Sequence, residues 1–334
     1  MARIKDVAAL AGVNRSTVSR IINGEGKFRA DTKRKVEQAM AELNYRPSAI
    51  ARSLATASSN MVGLLVTYYT GGFFGEMMDQ VQSELDCHHK FLITAQGHHS
   101  AEGEREAIQR FHDLRCDGYI LHSRHLSDDD LRALAKEPIP FVLLDRWVEG
   151  LEERCITFDH TLAAKLAVNH LIEQGHRTIA CISGPLTRQT SVQRYQGYLE
   201  ALEDAGIEFD PSLVCEGNYG RESGVAAAQQ LLAQRSDITA LFSCSEEMMG
   251  GALQFFHQQQ LQVPKQLSLT SFDSVDLCAS FYPTVTAVHF PISDMARTAV
   301  AVLHGLLSHQ AVETERHFLP KLITRNSVQP LTSY

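Results

Sequence analysis

The sequence predicts an α + α/β protein: an N-terminal helix-turn-helix head of three helices and a hinge helix, followed by a two-lobed parallel α/β core. Three observations carry this. The 334 residues suit about two domains at about 150 residues each. The rhythm of apolar residues changes at residue 61, from helical spacing to short apolar runs alternating with helix-length amphipathic segments. Charge is divided as sharply: residues 1–59 hold 11 Lys/Arg against 5 Asp/Glu, a net of +6, so the rest of a chain totalling −8 carries −14. A basic head on an acidic body is expected where one small domain meets a polyanion and the other stays off it. On charge alone, chance and solvated helix faces account for it as well.

In the head, Ile4, Val7, Ala8 and Ala11 fall at i, i+3, i+4 and i+7, one face of a helix that Gly12 stops. Asn14 is placed to cap a second helix over 15–22, with Val18 and Ile21 or Ile22 inward and Arg15, Ser16, Ser19 and Arg20 outward. The Asn23-Gly24-Glu25-Gly26 stretch breaks the pattern, and Asp31 is expected to cap a third helix over 32–43 with Val36, Met40 and Leu43 facing the core. Two short helices joined at a tight glycine turn and braced by a third make a helix-turn-helix unit. Pro47 ends it. Residues 48–55 are helical in pattern but too short to be stable alone, and a polar linker runs to residue 60.

Apolar runs then recur at 61–66, 91–94, 118–121, 141–144, 178–183, 213–215, 240–243 and 267–272, with helix-length segments at 74–87, 102–114, 162–174, 192–205, 223–233 and 248–260. From 285 to 326 the tail adds a helix over 294–307 and two strand-like runs. Repeated βα units imply parallel sheets covered by helices. About 270 residues exceed one doubly wound sheet, so two lobes with a ligand cleft between them are expected. The expected division is a head at 1–46, hinge helix and linker at 47–60, and core at 61–334, with an N-lobe of about 61–159 plus 291–319 and a C-lobe of about 160–290 plus 320–334.

No phosphate loop, nucleophile elbow, zinc-protease helix or dinucleotide fingerprint is present, so neither an enzyme nor a cofactor is expected. The histidines at 88–89, 98–99, 122 and 125 lack helical carboxylate partners and read as surface or core residues before metal ligands. Seven cysteines without a C-x-x-C pair fit reduced thiols in packed positions. No apolar run is long enough to span a membrane and no secretory signal opens the chain, which places it by expectation in the cytoplasm.

The segment from Ile4 to Arg20, IKDVAALAGVNRSTVSR, followed by YRPSAIARSL at 45–54 and VGLLV at 62–66, closely resembles the LacI/GalR family of bacterial transcription repressors. The resemblance continues through Arg115-Cys-Asp-Gly118, Gly175-His-Arg177, Gly184-Pro185, Arg194-Tyr-Gln-Gly197, Val263-Pro264, Ser271-Phe-Asp273 and Leu322-Ile-Thr-Arg-Asn-Ser-Val328, the length of the chain. Residues 100–108 with 126–130 look most like the galactose and β-glucoside (arbutin/salicin type) branch. What the resemblance implies is a head that binds near-palindromic operator DNA, a hinge helix that orders on that DNA, and a core of periplasmic sugar-binding-protein type that takes a small sugar between its lobes.

Residue roles follow from the same resemblance. Arg15, Ser16 and Arg20 match sequence-reading positions of the second helix, where an arginine can fork onto a guanine; a phosphate contact is the other reading of Arg15. Thr17, Ser19 and Asn23 suit backbone contacts. Leu54 matches a leucine that pries open a base step from the minor groove, with packing on its twofold mate a compatible role; Ser48 and Ala51 are small enough for two hinge helices to approach. Arg194 and Asp273 match an arginine and an aspartate that bond effector hydroxyls, an interlobe salt bridge being the alternative. Arg188 and Thr190 occupy a ligand-touching loop. Phe73 and Phe74, after Gly71-Gly72, are placed to pack a sugar ring or else the core, and Tyr219 and Trp147 are further cleft candidates. One departure is local: Ser245-Glu246-Glu247 stands where the family has an Asn-Asp pair, so Glu246 is expected to offer the cleft a longer carboxylate. With no leucine heptad after the last core strand, a homodimer is expected, released from DNA by galactose or a β-glucoside; a ligand that strengthens DNA binding is the alternative, and a sugar-binding protein without a transcriptional role a weaker one.

Overall fold

The computed structural model of the chain describes residues 2–22, 26–45 and 58–331. In the head, α1 (Ile4–Ala11), α2 (Arg15–Ile22) and α3 (Ala30–Glu42) enclose Val7, Ala8, Ala11, Val18, Val36 and Ala39, with Ile4, Ile21, Met40 and Leu43 packed around them. Gly12 closes α1 with φ at 65°, a left-handed conformation that glycine adopts without strain and that turns the chain directly into α2. The Asn14 carbonyl accepts from the Thr17 and Val18 amides at the start of α2. The third helix begins earlier than expected. Arg29 is its N-cap, so Asp31 lies inside the first turn and pairs with Arg34 and Lys35, complementing the positive end of the helix dipole.

The N-lobe is built on a parallel sheet of β1 (Met61–Val66), β2 (Phe91–Gln96), β3 (Gly118–Leu121), β4 (Phe141–Leu144), β5 (Cys155–Phe158) and β11 (His317–Phe318), in the order β11-β5-β4-β3-β1-β2. Its helices are α4 (Gly72–Cys87), α5 (Ala101–Asp113), α6 (Asp128–Leu134) and, from late in the chain, α12 (Ile292–Ser308). The C-lobe repeats the plan with β6 (Ile179–Ser183), β7 (Val214–Glu216), β8 (Ala240–Ser243), β9 (Ser268–Asp273), β10 (Thr286–His289) and β12 (Lys321–Ile323), ordered β12-β10-β9-β8-β6-β7 with only β12 antiparallel. Around it lie α7 (His160–Glu173), α8 (Gln189–Asp204), α9 (Arg221–Gln234), α10 (Glu246–Gln258) and the short α11 (Leu277–Ser280). The chain crosses between lobes three times: after β5, after β10 and after β11.

Central strands such as β1, β3, β4 and β8 are buried nearly throughout, as parallel strands covered on both faces must be. That is why they stand out as unbroken apolar runs. Strand β5 escaped this signal because it is four residues long, contains a half-buried Thr157 and follows the charged Glu152–Arg154 turn. In both sheets the strand order reverses beside the first strand, β1 or β6, and at such a switch point the following loops diverge and leave a crevice at the carboxyl ends of the strands.

One apolar cluster runs through both lobes, from Leu64 and Ile120 to Ile182 and Leu241. Helices α9 and α10 touch backbone to backbone: a Cβ at Gly224 would lie 2.0 Å from the Met248 carbonyl oxygen, and one at Gly251 2.0 Å from that of Arg221. The two glycines thereby fix the starts of both helices, where Arg221 and Glu246 stand. Cys87 is exposed, against the expectation of packed thiols, and the other six cysteines are buried. No helix among the described residues is long and apolar enough to cross a membrane.

Candidate functional site: a cleft between the lobes and an exposed recognition helix

Between the lobes lies a cavity of about 560 Å³, within the range that takes a small ligand. Every wall lies at the carboxyl end of a strand, in the loop there or at the start of the helix that follows. The N-lobe contributes Thr67 and Tyr68 after β1, Phe73 and Phe74 in the first turn of α4, His122 and Arg124 after β3, and Asp145 after β4. The C-lobe contributes Arg188, Thr190 and Arg194 around the start of α8, Tyr219 before α9, Ser245 and Glu246 at the start of α10, and Phe272 and Ser274 at the end of β9.

A largely buried chain of ionisable groups forms the floor. Arg194 Nε donates to His160 Nδ1 at 3.1 Å, and His160 Nε2 bonds Asp145 Oδ1 at 2.7 Å. The arginine cannot accept, so Nδ1 is the acceptor and the proton sits on Nε2, which donates to Asp145. Asp145 Oδ2 pairs in turn with Arg124. Burial alone would raise the Asp145 carboxyl; His160 and Arg124 reverse that and hold it well below the usual carboxylate range. Burial and the nearby Arg194 outweigh Asp145 and lower the basicity of His160, consistent with a neutral ring. His122 accepts from Arg124 Nη2 at 2.6 Å and reaches Thr67 Oγ1 at 3.1 Å through Nδ1; burial and Arg124 hold its pKa well below the ordinary value. Since Asp145 belongs to the N-lobe, Arg194 to the C-lobe and His160 to the crossover, this chain ties the lobes together under the cavity.

Above it, Arg194 lies 4.0 Å over the Phe272 ring and donates through Nη1 to the Cys244 carbonyl. Among the described residues its Nη2 has no hydrogen-bond partner. Arg188 reaches across the cleft to the Tyr68 hydroxyl at 3.2 Å, and the Tyr219 hydroxyl is held by Ser191 at 2.7 Å. Phe73 and Phe74 meet edge to face at 5.0 Å, and Phe73 also packs 5.4 Å from Phe290, so these rings serve both wall and core.

Two residues fall elsewhere than the sequence suggested. Asp273 is 2% exposed and does not line the cavity: its carboxylate accepts from Arg325 at 3.2 Å and from the Cys278 amide at 3.3 Å. Side chains alternate along a strand, so Phe272 and Ser274 face the cleft and Asp273 faces away. Trp147 is half exposed and lines a separate pocket of about 390 Å³, beyond Asp145 and His160, with Gln189, Gln193 and His317. Arg188, Thr190, Arg194, Tyr219, Glu246, Phe73 and Phe74 are gathered at the cavity. Thr67, Tyr68, His122, Arg124 and Ser274 also line the cavity without having been expected there, and His160 lies beneath it.

Glu246 is the wall's least ordinary group. It is 7% exposed, accepts from the Ser274 hydroxyl, and forms no ion pair among the described residues. Burial raises its pKa above the ordinary value. A carboxyl raised by folding favours the native state fully below its unfolded pKa of about 4.3 and loses that contribution as pH climbs through the folded value. Glu246→Gln is therefore expected to raise the melting temperature of the ligand-free protein at pH 8 and to give no gain at pH 4. Equal shifts at both pH values would show that ionisation of Glu246 is not penalised.

In the head, Arg15, Ser16 and Arg20 are exposed on α2 while Thr17 and Ser19 are half-buried beside Val18. The Arg20 guanidinium leans over the Phe28 ring at 5.5 Å. Asn23, Ser48, Ala51 and Leu54 lie outside the described residues. Among the described residues no three His, Cys, Asp or Glu side chains gather as a metal site would need.

A helix-turn-helix head with an arginine-bearing outer face, on a two-lobed core that can enclose a small polar molecule, defines a DNA-binding transcription regulator. The chain belongs to the lacI family of bacterial regulatory proteins, whose model matches residues 3–48, while residues 168–328 match the periplasmic binding protein-like domain. It is 35% identical to the HTH-type transcriptional regulator GalR of Escherichia coli over 98% of this chain and 96% of that one, and 32% identical to AscG of the same species over 98% of each. Its structure is similar to that of the lac repressor dimer bound to operator and the anti-inducer ONPF, with a TM-score of 0.87, 27% identity, and coverage of 98% of this chain and 99% of that one. These relatives are transcription regulators, not enzymes.

Proposed function

We propose that the chain is a sugar-responsive repressor of carbohydrate-utilisation genes that works as a homodimer in the cytoplasm. Its heads (1–46, with the hinge at 47–60) hold a near-palindromic operator, and its core (61–334) lets go when galactose or a β-glucoside binds between the N-lobe (about 61–159 plus 291–319) and the C-lobe (about 160–290 plus 320–334). The observation that carries this reading is the convergence of polar side chains from both lobes on one cavity. Guanidinium groups such as Arg188 and Arg194 donate in a plane that suits vicinal hydroxyls, Glu246 with Ser274 can accept, and the rings of Phe73, Phe74 and Tyr219 offer apolar faces to a pyranose. For DNA, Arg15, Ser16 and Arg20 are proposed to read bases, Thr17, Ser19 and Asn23 to hold phosphates, Ser48 and Ala51 to let two hinge helices approach closely, and Leu54 to wedge the central step. The lac repressor relative, a dimer on its operator, supports the assembly.

The test is selection of duplexes from a random pool by the purified protein, with the winners titrated again in the presence of galactose, arbutin and salicin. A palindrome released by one sugar is the expected result; a sugar that tightens binding would reverse the sign of the response, and failure to enrich any sequence would overturn the repressor reading. On the selected duplex Arg20→Ala is expected to lose about 1–3 kcal/mol while nonspecific binding persists. An equal loss on every duplex would reduce Arg20 to a phosphate contact.

A further inference from the structure

At the pole of the N-lobe opposite the cleft, where the chain arrives from the head, Asp117 gathers an unusual number of donors. Its Oδ2 accepts from the Ser58 hydroxyl at 2.7 Å and the Asn60 amide at 3.1 Å, and its Oδ1 from the Ser59 amide at 2.8 Å and the Ser59 hydroxyl at 3.1 Å. Lys90 Nζ completes the set at 2.7 Å, with its side chain 14% exposed and that of Asp117 9%. Burial raises the Asp117 carboxyl, but Lys90, Ser58 and Ser59 outweigh it and leave the pKa below the ordinary value, so it is a carboxylate at neutral pH. The backbone adds a second layer: the Asp117 amide donates to Met61 at 2.7 Å and the Phe91 amide to Asn60 at 2.7 Å.

Three consecutive residues of a polar linker are thus held by one largely buried carboxylate just before β3. Sheet formation does not require this, since β1 begins only at Met61. Lys90 follows the end of α4, and the other end of α4 carries Phe73 and Phe74 into the cleft. Sixteen helical residues span about 24 Å, so one rigid element runs from the ligand cavity to the ion pair that grips the linker.

We propose that Asp117, neutralised by Lys90, is a positioning residue for DNA binding: it fixes residues 58–60 to the core so that the heads are presented in register with two half-sites. The inference rests on the repressor reading and adds to it the anchor through which the core sets the heads. A loosened anchor leaves each head's own contacts intact and costs only the joint placement, so the loss falls on specific binding, which needs register, and spares nonspecific binding, which needs charge.

The experiment uses the full chain and a duplex selected by the wild type. Asp117→Asn is expected to weaken binding to that duplex tenfold or more, to leave binding to a random duplex within twofold, and to speed hydrogen exchange of the Ser59 and Asn60 amides. Ser58→Ala/Ser59→Ala, which leaves the core's Asp117 and Lys90 in place, is expected to show the same pattern at smaller size and keeps the test decisive if Asp117→Asn does not fold. Asp117→Glu should restore part of the specific affinity. Faster exchange at 59 and 60 with specific affinity within twofold of wild type would overturn the positioning role, as would an equal loss on both duplexes. A wild type that enriches no sequence would overturn the repressor reading, and this inference with it.

Discussion

Asp145→Ala is expected to destabilise the ligand-free core by about 3–5 kcal/mol, the amount associated with removing one partner of a buried ion pair. The alanine leaves the Arg124 guanidinium, which borders the cavity, without its carboxylate and the buried His160 Nε2 without an acceptor. Urea unfolding at pH 7 measures the loss, and a change under 1 kcal/mol would show that water replaces the carboxylate. The effect has a pH signature. A carboxyl whose pKa is depressed by folding contributes stability above its unfolded value of about 3.9 and loses it as pH falls through the folded value. The gap between wild type and Asp145→Asn is therefore expected to be full at pH 7 and to shrink below about pH 4.

Arg194→Leu is expected to abolish the ligand response while leaving the chain on its DNA. The substitution removes the Nη2 donor offered to the cavity and leaves His160 Nδ1 and the Cys244 carbonyl unpaired, each worth about 1–3 kcal/mol if not resatisfied. Binding of the releasing sugar should weaken by about 100-fold or more, equivalent to about 3 kcal/mol. Because coupling between two ligands is reciprocal, the sugar should also cease to weaken DNA binding. Displacement from the selected duplex, titrated with sugar, reads both; a variant still released at the wild-type sugar concentration would remove Arg194 from the binding site. Lost DNA binding instead would mean that the residue supports the fold more than the ligand.

Much of this was legible along the chain. Helix α1, its Gly12 stop and the outward face of α2 follow from spacing and one glycine, because the 3.6-residue period and the left-handed cap are local physics. Fully buried strands such as β1 and β8 announce themselves by composition. The cleft's arginines at 188 and 194 and its acid at 246 were also reachable, through resemblance and through the oddity of Ser245-Glu246. Asp273 was misplaced by one residue. A strand presents alternate side chains to opposite faces, and only the packed sheet shows that Ser274 faces the cavity while Asp273 faces Arg325.

By itself, then, the sequence determined the family, the two-part architecture and the sign of each part's charge, all properties of short windows or of sums over the chain. The tertiary structure alone decided the partnerships. Arg124 and Asp145 come from two loops, His160 from the first turn of α7 and Arg194 from the second turn of α8, and Asp117 meets residues 58–60 across 57 to 59 positions. Nothing in the local pattern of any one of them signals its partner, because buried charges choose partners by distance and exclusion of water, and both are set only when the sheets and their crossovers have packed.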